Sequence, residues 1–494
     1  FYVQKPQGFL GKPSRELIRF AKTELLEPGE GESGILAIDF YALSSYDDSG
    51  ITGHAFCYVL EEGTYTILAG TNVRNAKEIG SFALTETVVL EELSQQLAPR
   101  RHLERMTPKI NEDGTLVPII QAAPVYLQHY SEDTCPQCAD YTGDKGYKLD
   151  DVKRGIVSMD EFLAQLSDLD LCHIVKGEGM SSPKVTPGTA AAFGGLTPNL
   201  TYFGIPAGCC TDGPSGLRMD CGTNAFSLPG GTLLACTFNT SLNADLFEME
   251  GIEMRNNHIE SLLGPGMNIH RCPLNGRNFE YYSEDSVLAG YIGASSIAGA
   301  QSYGVYAYMK HFALNDQQIN QSKLLCTWAD EQAIREIYLR PFEISAKVGG
   351  CKAVMSSWNY IGNQWAGACN ALLNGVLRGE WGFRGMVITD GFHFTDYMDS
   401  DIAIRNGCDL MLKNYDVATN HLTDTTSATS VKAMRQACKN IMYTVVNSRV
   451  YDPANTVSTP IWRTAMIVVN VLLAVLLVVL EVLTFKSYKK KKAQ

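Results

Sequence analysis

Four short clusters hold the residues whose types could do chemistry: Thr211-Asp212-Gly213, Arg277 with Glu280 and the Ser283-Glu284-Asp285 run, Lys310-His311, and Thr389-Asp390-Gly391. Each closes or follows an apolar run. Together they offer carboxylates, a guanidinium, an ammonium and an imidazole. Such a set could ring a polyhydroxy ligand, because vicinal hydroxyls need paired donors and acceptors, and charged hydrogen bonds supply them strongly. Other chemistries lack their residues. No His/Cys/Asp spacing suits a metal, and neither a GxSxG elbow nor a GxxxxGK[ST] phosphate loop occurs. No metal and no cofactor is therefore expected, and carboxylate chemistry remains. Taken singly, each residue also has a plainer reading. Asp390 could be an exposed loop carboxylate, Asp212 and Arg277 a rim ion pair, and His311 a satisfied core histidine.

The elements that must position these residues lie between about 151 and 446. TYFGIPAGCCTDG, SLLGPGMNIH, GVYAYMKHFALND, CKAVMSSWNYIG, GMVITDGF and CDLMLK are apolar runs ending in polar residues. Amphipathic segments such as WADEQAIREIYLRPFEISAKV and SVKAMRQACKNIMYTVVNS intervene. Repeated βα units over this length predict an α/β fold, a TIM-like (β/α)8 barrel, whose chemistry gathers at the C-terminal ends of its strands.

Upstream, residues 1–80 alternate apolar and polar positions between PGEGESG and EEG turns, which predicts a partial antiparallel β-sandwich. LTETVVLEELSQQLAPR reads as a short helix ended by Pro99, within a linker or wrapping arm over 81–150. Cys135 and Cys138 form a lone CxxC, open to a zinc site, a local disulfide or plain thiols. The 494 residues carry a net charge of −12, which argues against a nucleic-acid partner.

Downstream, a juxtamembrane linker (447–463) leads to AMIVVNVLLAVLLVVLEVL, within a predicted transmembrane helix over 464–484. A basic tail (485–494) follows, with Lys486 and Lys489 to Lys492. By the positive-inside rule the tail is cytoplasmic and the upstream bulk extracellular, with membrane lipid as a partner. A buried helix of a soluble core is the plainer alternative.

Three long segments carry a resemblance to a known family. LLGPGMNIHRCPLNGRNFEYYSEDSVLAG, YMKHFALNDQ and AVMSSWNYIGNQWAGACNALLNGVLRGEWGFRGMVITD resemble the signature of glycoside hydrolase family 3, in the order of its barrel. VQKPQGFLGKPSRELIRFAKTELLEPGE and GTYTILAGT resemble its fibronectin III-like domain, here before the barrel as in permuted members. The resemblance implies a retaining, exo-acting β-glycosidase of the β-glucosidase kind, hydrolysing oligosaccharides or β-glycosides. It implies Asp390 of VITDG as nucleophile. Asp212 of TDGPSGLR, Arg277 of NGRNFE, and Lys310 with His311 of KHF would hold the terminal sugar. Glu280, Glu284 and Asp285 are expected to be supporting or structural.

The family's general acid/base usually comes from an α/β sandwich domain. No residue here matches it, so it is expected upstream of Phe1, with this chain an N-terminally truncated piece. Three positions depart from the family pattern: Gly391-Phe392 where Trp often follows the nucleophile, Trp358 where Tyr is usual, and Gln318 where Glu is usual. These departures keep a second reading in view, a non-catalytic, membrane-anchored carbohydrate-binding protein. A scaffold or adhesion protein using the sandwich as a spacer is a third. The branch with KHFPGHGDT, and its N-acetylglucosaminidase activity, is not matched.

Overall fold

The computed structural model describes residues 1–8, 10–126, 138–180, 182–221, 224–391, 397–412, 422–449 and 461–492. Two compact units are present, Phe1–Val450 and Tyr451–Gln494.

The first unit opens with two antiparallel sheets. One pairs Glu16–Leu17, Tyr2–Gln4, Gly63–Ala69 and Lys77–Leu84 in that order, and the other pairs Ser45–Asp47, Cys57–Leu60 and Val88–Glu92. Val3, Ile18, Leu43, Leu60 and Tyr65 form the core between them. The sandwich expected to be partial therefore has seven strands, the number of a fibronectin-type fold. One of them, Val88–Glu92, lies beyond residues 1–80, and Lys77–Leu84 crosses that boundary. Val88–Glu92, expected as helix, is a strand because Val88 and Val89 pair with Leu60 and Val59, and β-branched residues suit a pleated ladder better than a helix. The region expected as a linker also contains a hairpin, Glu104–Ile110 against Leu116–Ala122.

The larger part of the unit is built on a six-stranded sheet: Ala191–Gly194, Ala207–Asp212, Ser261–Leu263, Tyr306–Phe312, Ala353–Ser356 and Met386–Ile388. Its strands are mostly buried, Tyr306–Phe312 at every position and Ala207–Asp212 at all but its two ends, as a sheet covered by helices requires. A bridge from Ile388 to Leu410 extends the curve. The Met411 amide then donates to Val175, and Glu178 pairs with Ala192, so the curved sheet returns toward its first strand. Eight parallel strands were expected. Among the described residues the sheet has six, and the first pair, Ala191–Gly194 with Ala207–Asp212, is antiparallel. Only the five-residue helix Pro198–Tyr202 lies between them. The twelve residues 195–206 that join the two strands hold no full helix of the kind that usually carries a parallel crossover.

The outer layer includes Thr240–Asn256, Ser286–Gln301, Arg340–Lys347 and Ala428–Val446. Ser286–Gln301 is rich in Ala and Gly, and a Cβ on Gly299 would run into the Ala244 carbonyl of the neighbouring helix. Small residues there let two helices approach closely and bring the following strand, which carries Lys310, against the sheet. Cys209 and Cys210 pack within their strand as buried thiols, and Cys351, Cys408 and Cys438 are likewise buried. Cys236 is exposed, and Cys135 lies outside the described residues.

The second unit contains one helix, Ile461–Lys492. Its stretch Ala465–Lys489 is apolar, unburied and 25 residues long. At 1.5 Å per residue that is about 37 Å, enough to cross a hydrocarbon core of about 30 Å.

Candidate active site

Five side chains expected from sequence converge at the C-terminal ends of the sheet strands. Asp212 ends the strand Ala207–Asp212, Lys310 and His311 lie near the end of Tyr306–Phe312, and Asp390 follows Met386–Ile388 by two residues. Arg277 comes from the loop after Ser261–Leu263. Gly213 allows the chain to turn away directly after Asp212: its φ is +136°, and a Cβ would meet the Gly216 carbonyl.

Ion pairs organise the polar groups. Lys310 Nζ donates to Asp212 Oδ1 at 2.7 Å, and Arg218 Nη1 stands 3.9 Å from Asp212 Oδ2. Burial works to raise the Asp212 pKa, but the Lys310 ammonium and its hydrogen bond outweigh burial and hold it below the ordinary carboxylate value. Arg277 Nε pairs with Glu280, which is buried, while the guanidinium stands 5.8 Å from the centre of the Tyr281 ring. Its two terminal nitrogens have no protein acceptor among the described residues, so they remain available to a ligand.

Asp390 is placed differently. Oδ1 accepts the Gly391 N–H at 2.7 Å, whereas Oδ2 faces His311 Nε2 at 3.7 Å, too far for a hydrogen bond. Burial pushes its pKa to about 6, against the pull of Arg277, the Gly391 N–H and Lys310. Near neutral pH it is thus ionised, desolvated and basic for a carboxylate, a combination that suits a nucleophile.

His311 is fixed by groups that sequence reasoning did not single out. The Asn268 side chain holds both backbone groups of His311, accepting from its N–H at 2.8 Å and donating to its carbonyl at 2.9 Å. The Tyr281 hydroxyl lies 3.1 Å from His311 Nδ1 and 3.5 Å from Asn315 Nδ2. Burial raises the Tyr281 pKa, so the phenol stays protonated. Burial, then the Arg277 and Lys310 charges, hold the His311 pKa well below its usual value, so the ring is neutral. With Asn315 donating to the phenol and the phenol donating to Nδ1, the remaining proton sits on Nε2 and points to the Asp390 side. Tyr281 was legible as the first Tyr of NFEYYSED, but nothing in its spacing marks it as a partner of His311.

A second network runs behind Asp390. Trp358 Nε1 donates to the Gly391 carbonyl at 2.9 Å, and the Tyr397 hydroxyl donates to the Trp358 carbonyl at 2.7 Å. Asp285 caps the helix Ser286–Gln301 by accepting from Val287 and Leu288 N–H groups, a structural task. Phe392 lies outside the described residues. A cavity of about 700 Å³ lies elsewhere, walled by Tyr41, Arg105 and Glu336 between the sandwich, the hairpin and the barrel-like domain.

Comparison with known proteins decides the family. The glycosyl hydrolase family 3 N-terminal domain matches residues 144–450, and a fibronectin type III-like domain matches residues 1–73. The chain belongs to glycosyl hydrolase family 3. Among family relatives, a beta-glucosidase of Ruminococcus albus is 48% identical over 79% of this chain and 41% of its own length. Beta-glucosidase A of Butyrivibrio fibrisolvens is 35% identical over 82% of this chain and 51% of its own. A solved beta-glucosidase from Paenibacillus barengoltzii superposes with a TM-score of 0.86 at 41% identity, over 93% of this chain and 52% of that one. The chain thus spans about half the length of these relatives. The family and its two domain types, with the fibronectin-like domain first, agree with the resemblance read from the motifs.

Proposed function

We propose that this chain is the nucleophile-bearing part of a retaining, exo-acting β-glycosidase of the β-glucosidase kind. The observation that carries the reading is Asp390: a buried carboxylate at a strand end, ringed by Arg277, Lys310 and His311, with one oxygen that takes no hydrogen bond among the described residues. Asp390 Oδ2 attacks the anomeric carbon as the bond to the aglycone oxygen breaks, and that oxygen takes a proton from a general acid. Water then hydrolyses the resulting glycosyl ester, restoring the carboxylate. Asp212 accepts from the sugar hydroxyls, while Arg277, Lys310 and the His311 Nε2–H donate to them. The competing carboxylates are already occupied: Asp409 by Arg378, Asn440 and the Val387 N–H, and Glu380 by Arg335.

The general acid lies outside this cluster in our reading. Asp212 is held ionised, His311 is held neutral, and the Tyr281 pKa is raised, so none of them is a ready proton donor near neutral pH. The chain's span of about half its relatives leaves room for a further domain to supply that acid. The apolar helix supports a single-pass anchor in membrane lipid, and the lysines after it support an extracellular catalytic region.

The test is inactivation with a 2-deoxy-2-fluoro-β-glucoside bearing a dinitrophenyl leaving group, followed by peptide mass spectrometry. Label on the Asp390 peptide, lost in Asp390→Ala, is the expected result. Label on Asp409 or Glu380 would overturn the assignment.

A further inference from the structure

We propose that Trp358 and Tyr397 are positioning residues that set the proton affinity of Asp390 through the backbone of Gly391. The inference rests on Asp390 as the nucleophile.

The geometry is a relay of three hydrogen bonds. Tyr397 donates its hydroxyl proton to the Trp358 carbonyl at 2.7 Å, Trp358 Nε1 donates to the Gly391 carbonyl at 2.9 Å, and the Gly391 N–H donates to Asp390 Oδ1 at 2.7 Å. A glycine directly after the carboxylate leaves both backbone dihedrals there soft. The indole removes that freedom from one end and the carboxylate from the other. Tyr397 is itself held, by edge packing on Tyr360 at 5.3 Å between ring centres. The tie across the strand ends is therefore made of rigid aromatic side chains.

The consequence is electrostatic. A backbone N–H aimed at one carboxylate oxygen favours the ionised form, and its effect is greatest where water is scarce. The other groups facing Asp390 are Arg277, Lys310, Asp212, His311, Tyr281 and Tyr397. Arg277 and Lys310 favour the ionised carboxylate and Asp212 opposes it. None of these depends on Trp358 for its contacts described above except Tyr397. Loosening the indole tie therefore acts on Asp390 mainly through the Gly391 N–H, and it weakens the bond that favours charge.

Trp358→Phe keeps an aromatic body and removes the N–H donor, while Tyr397→Phe removes the hydroxyl farther along the relay. The 494-residue chain carrying each change is inactivated with the dinitrophenyl fluoroglucoside across pH, since this leaving group departs without a general acid. For Trp358→Phe the acid limb of the inactivation rate is expected to move up by about 0.5–1 unit, a loss of about fourfold near pH 5.5 with little change near pH 8. Tyr397→Phe is expected to move it the same way by less. The pH at which Asp390→Asn begins to change stability, compared with and without Trp358→Phe, reads the same titration without any reaction. It is expected to move upward too. An acid limb and a stability midpoint both unmoved in Trp358→Phe would overturn the inference, even with Asp390 labelled. Failure to label Asp390 in the unmodified chain would instead count against the nucleophile reading, and the stability midpoint would still decide the relay.

Discussion

Replacing the proposed nucleophile is expected to make the protein more stable. Burial raises the Asp390 pKa from 3.8 to about 6 in the folded chain, even though Arg277 and the Gly391 N–H pull the other way. The native state therefore binds this proton more tightly than the unfolded chain. That contribution to stability is fully present below about pH 4 and is lost as pH rises through about 6. A difference of roughly two units at about 1.4 kcal/mol each makes the ionised carboxylate cost about 3 kcal/mol at neutral pH. Only 13% of the side chain is exposed, so solvent screening trims this little. Asn has the shape of the protonated acid and does not titrate. Asp390→Asn should thus match the unmodified protein near pH 4 and exceed its stability by up to about 3 kcal/mol above pH 7. Asp212→Asn is the control of opposite sign. Burial tends to raise the Asp212 pKa, but Lys310 brings it below the usual value, so its ionised form contributes stability above the unfolded pKa that is lost as pH falls through the folded one. That variant should be less stable at neutral pH, and the gap should close in acid. Guanidinium unfolding followed by tryptophan fluorescence, with the apolar helix held in detergent micelles, reads both at about pH 4 and about pH 7.5. Destabilisation by Asp390→Asn at neutral pH, or a gap independent of pH, would refute the argument.

Two further outcomes concern the ligand and the membrane. Asp212→Ala removes a charged acceptor from the proposed sugar subsite and should weaken sugar binding by about 1.5–3 kcal/mol per lost hydrogen bond; unchanged binding in calorimetry would remove Asp212 from the proposal. Deleting the residues after Thr464 removes the apolar stretch that begins at Ala465, and should move the protein from the membrane pellet to the soluble fraction. Retention in the pellet would count against this helix as the anchor.

The placement of the site was legible because it follows from strand periodicity. An apolar run that ends in TD or KH puts those residues at a strand end whatever the surrounding loops do, and the structure gathers Asp212, Lys310, His311 and Asp390 there. The groups that fix their charge states were not legible. Tyr281 meets His311 and Trp358 meets Gly391 only because separate loops close over the same strand ends, at separations of 30 and 33 residues. Local patterning says nothing about such closures. The same limit explains the N-terminal misreading. ETVVLEEL fits a helical period as well as a strand, and the choice was made by Cys57–Leu60, the partner strand some 30 residues earlier. The antiparallel first pair of the main sheet was hidden for a related reason, since strand direction depends on what the connector can span.

The charge arrangement explains how a carboxylate among cations keeps a raised pKa. Two full positive charges close to Asp390 would ordinarily drag its pKa down and leave a weak base. Each cation here already has a carboxylate of its own, Lys310 with Asp212 and Arg277 with Glu280. Pairing cancels much of their field at a third carboxylate, so burial becomes the larger influence on Asp390. The same pairing leaves the terminal nitrogens of Arg277 as donors, because Glu280 takes Nε. One set of ion pairs therefore does two things that oppose each other in simpler sites: it retains cationic donors for the hydroxyls of the proposed sugar ligand, and it keeps the proposed nucleophile basic. A ligand that fills the site displaces the remaining water, which strengthens both effects at once.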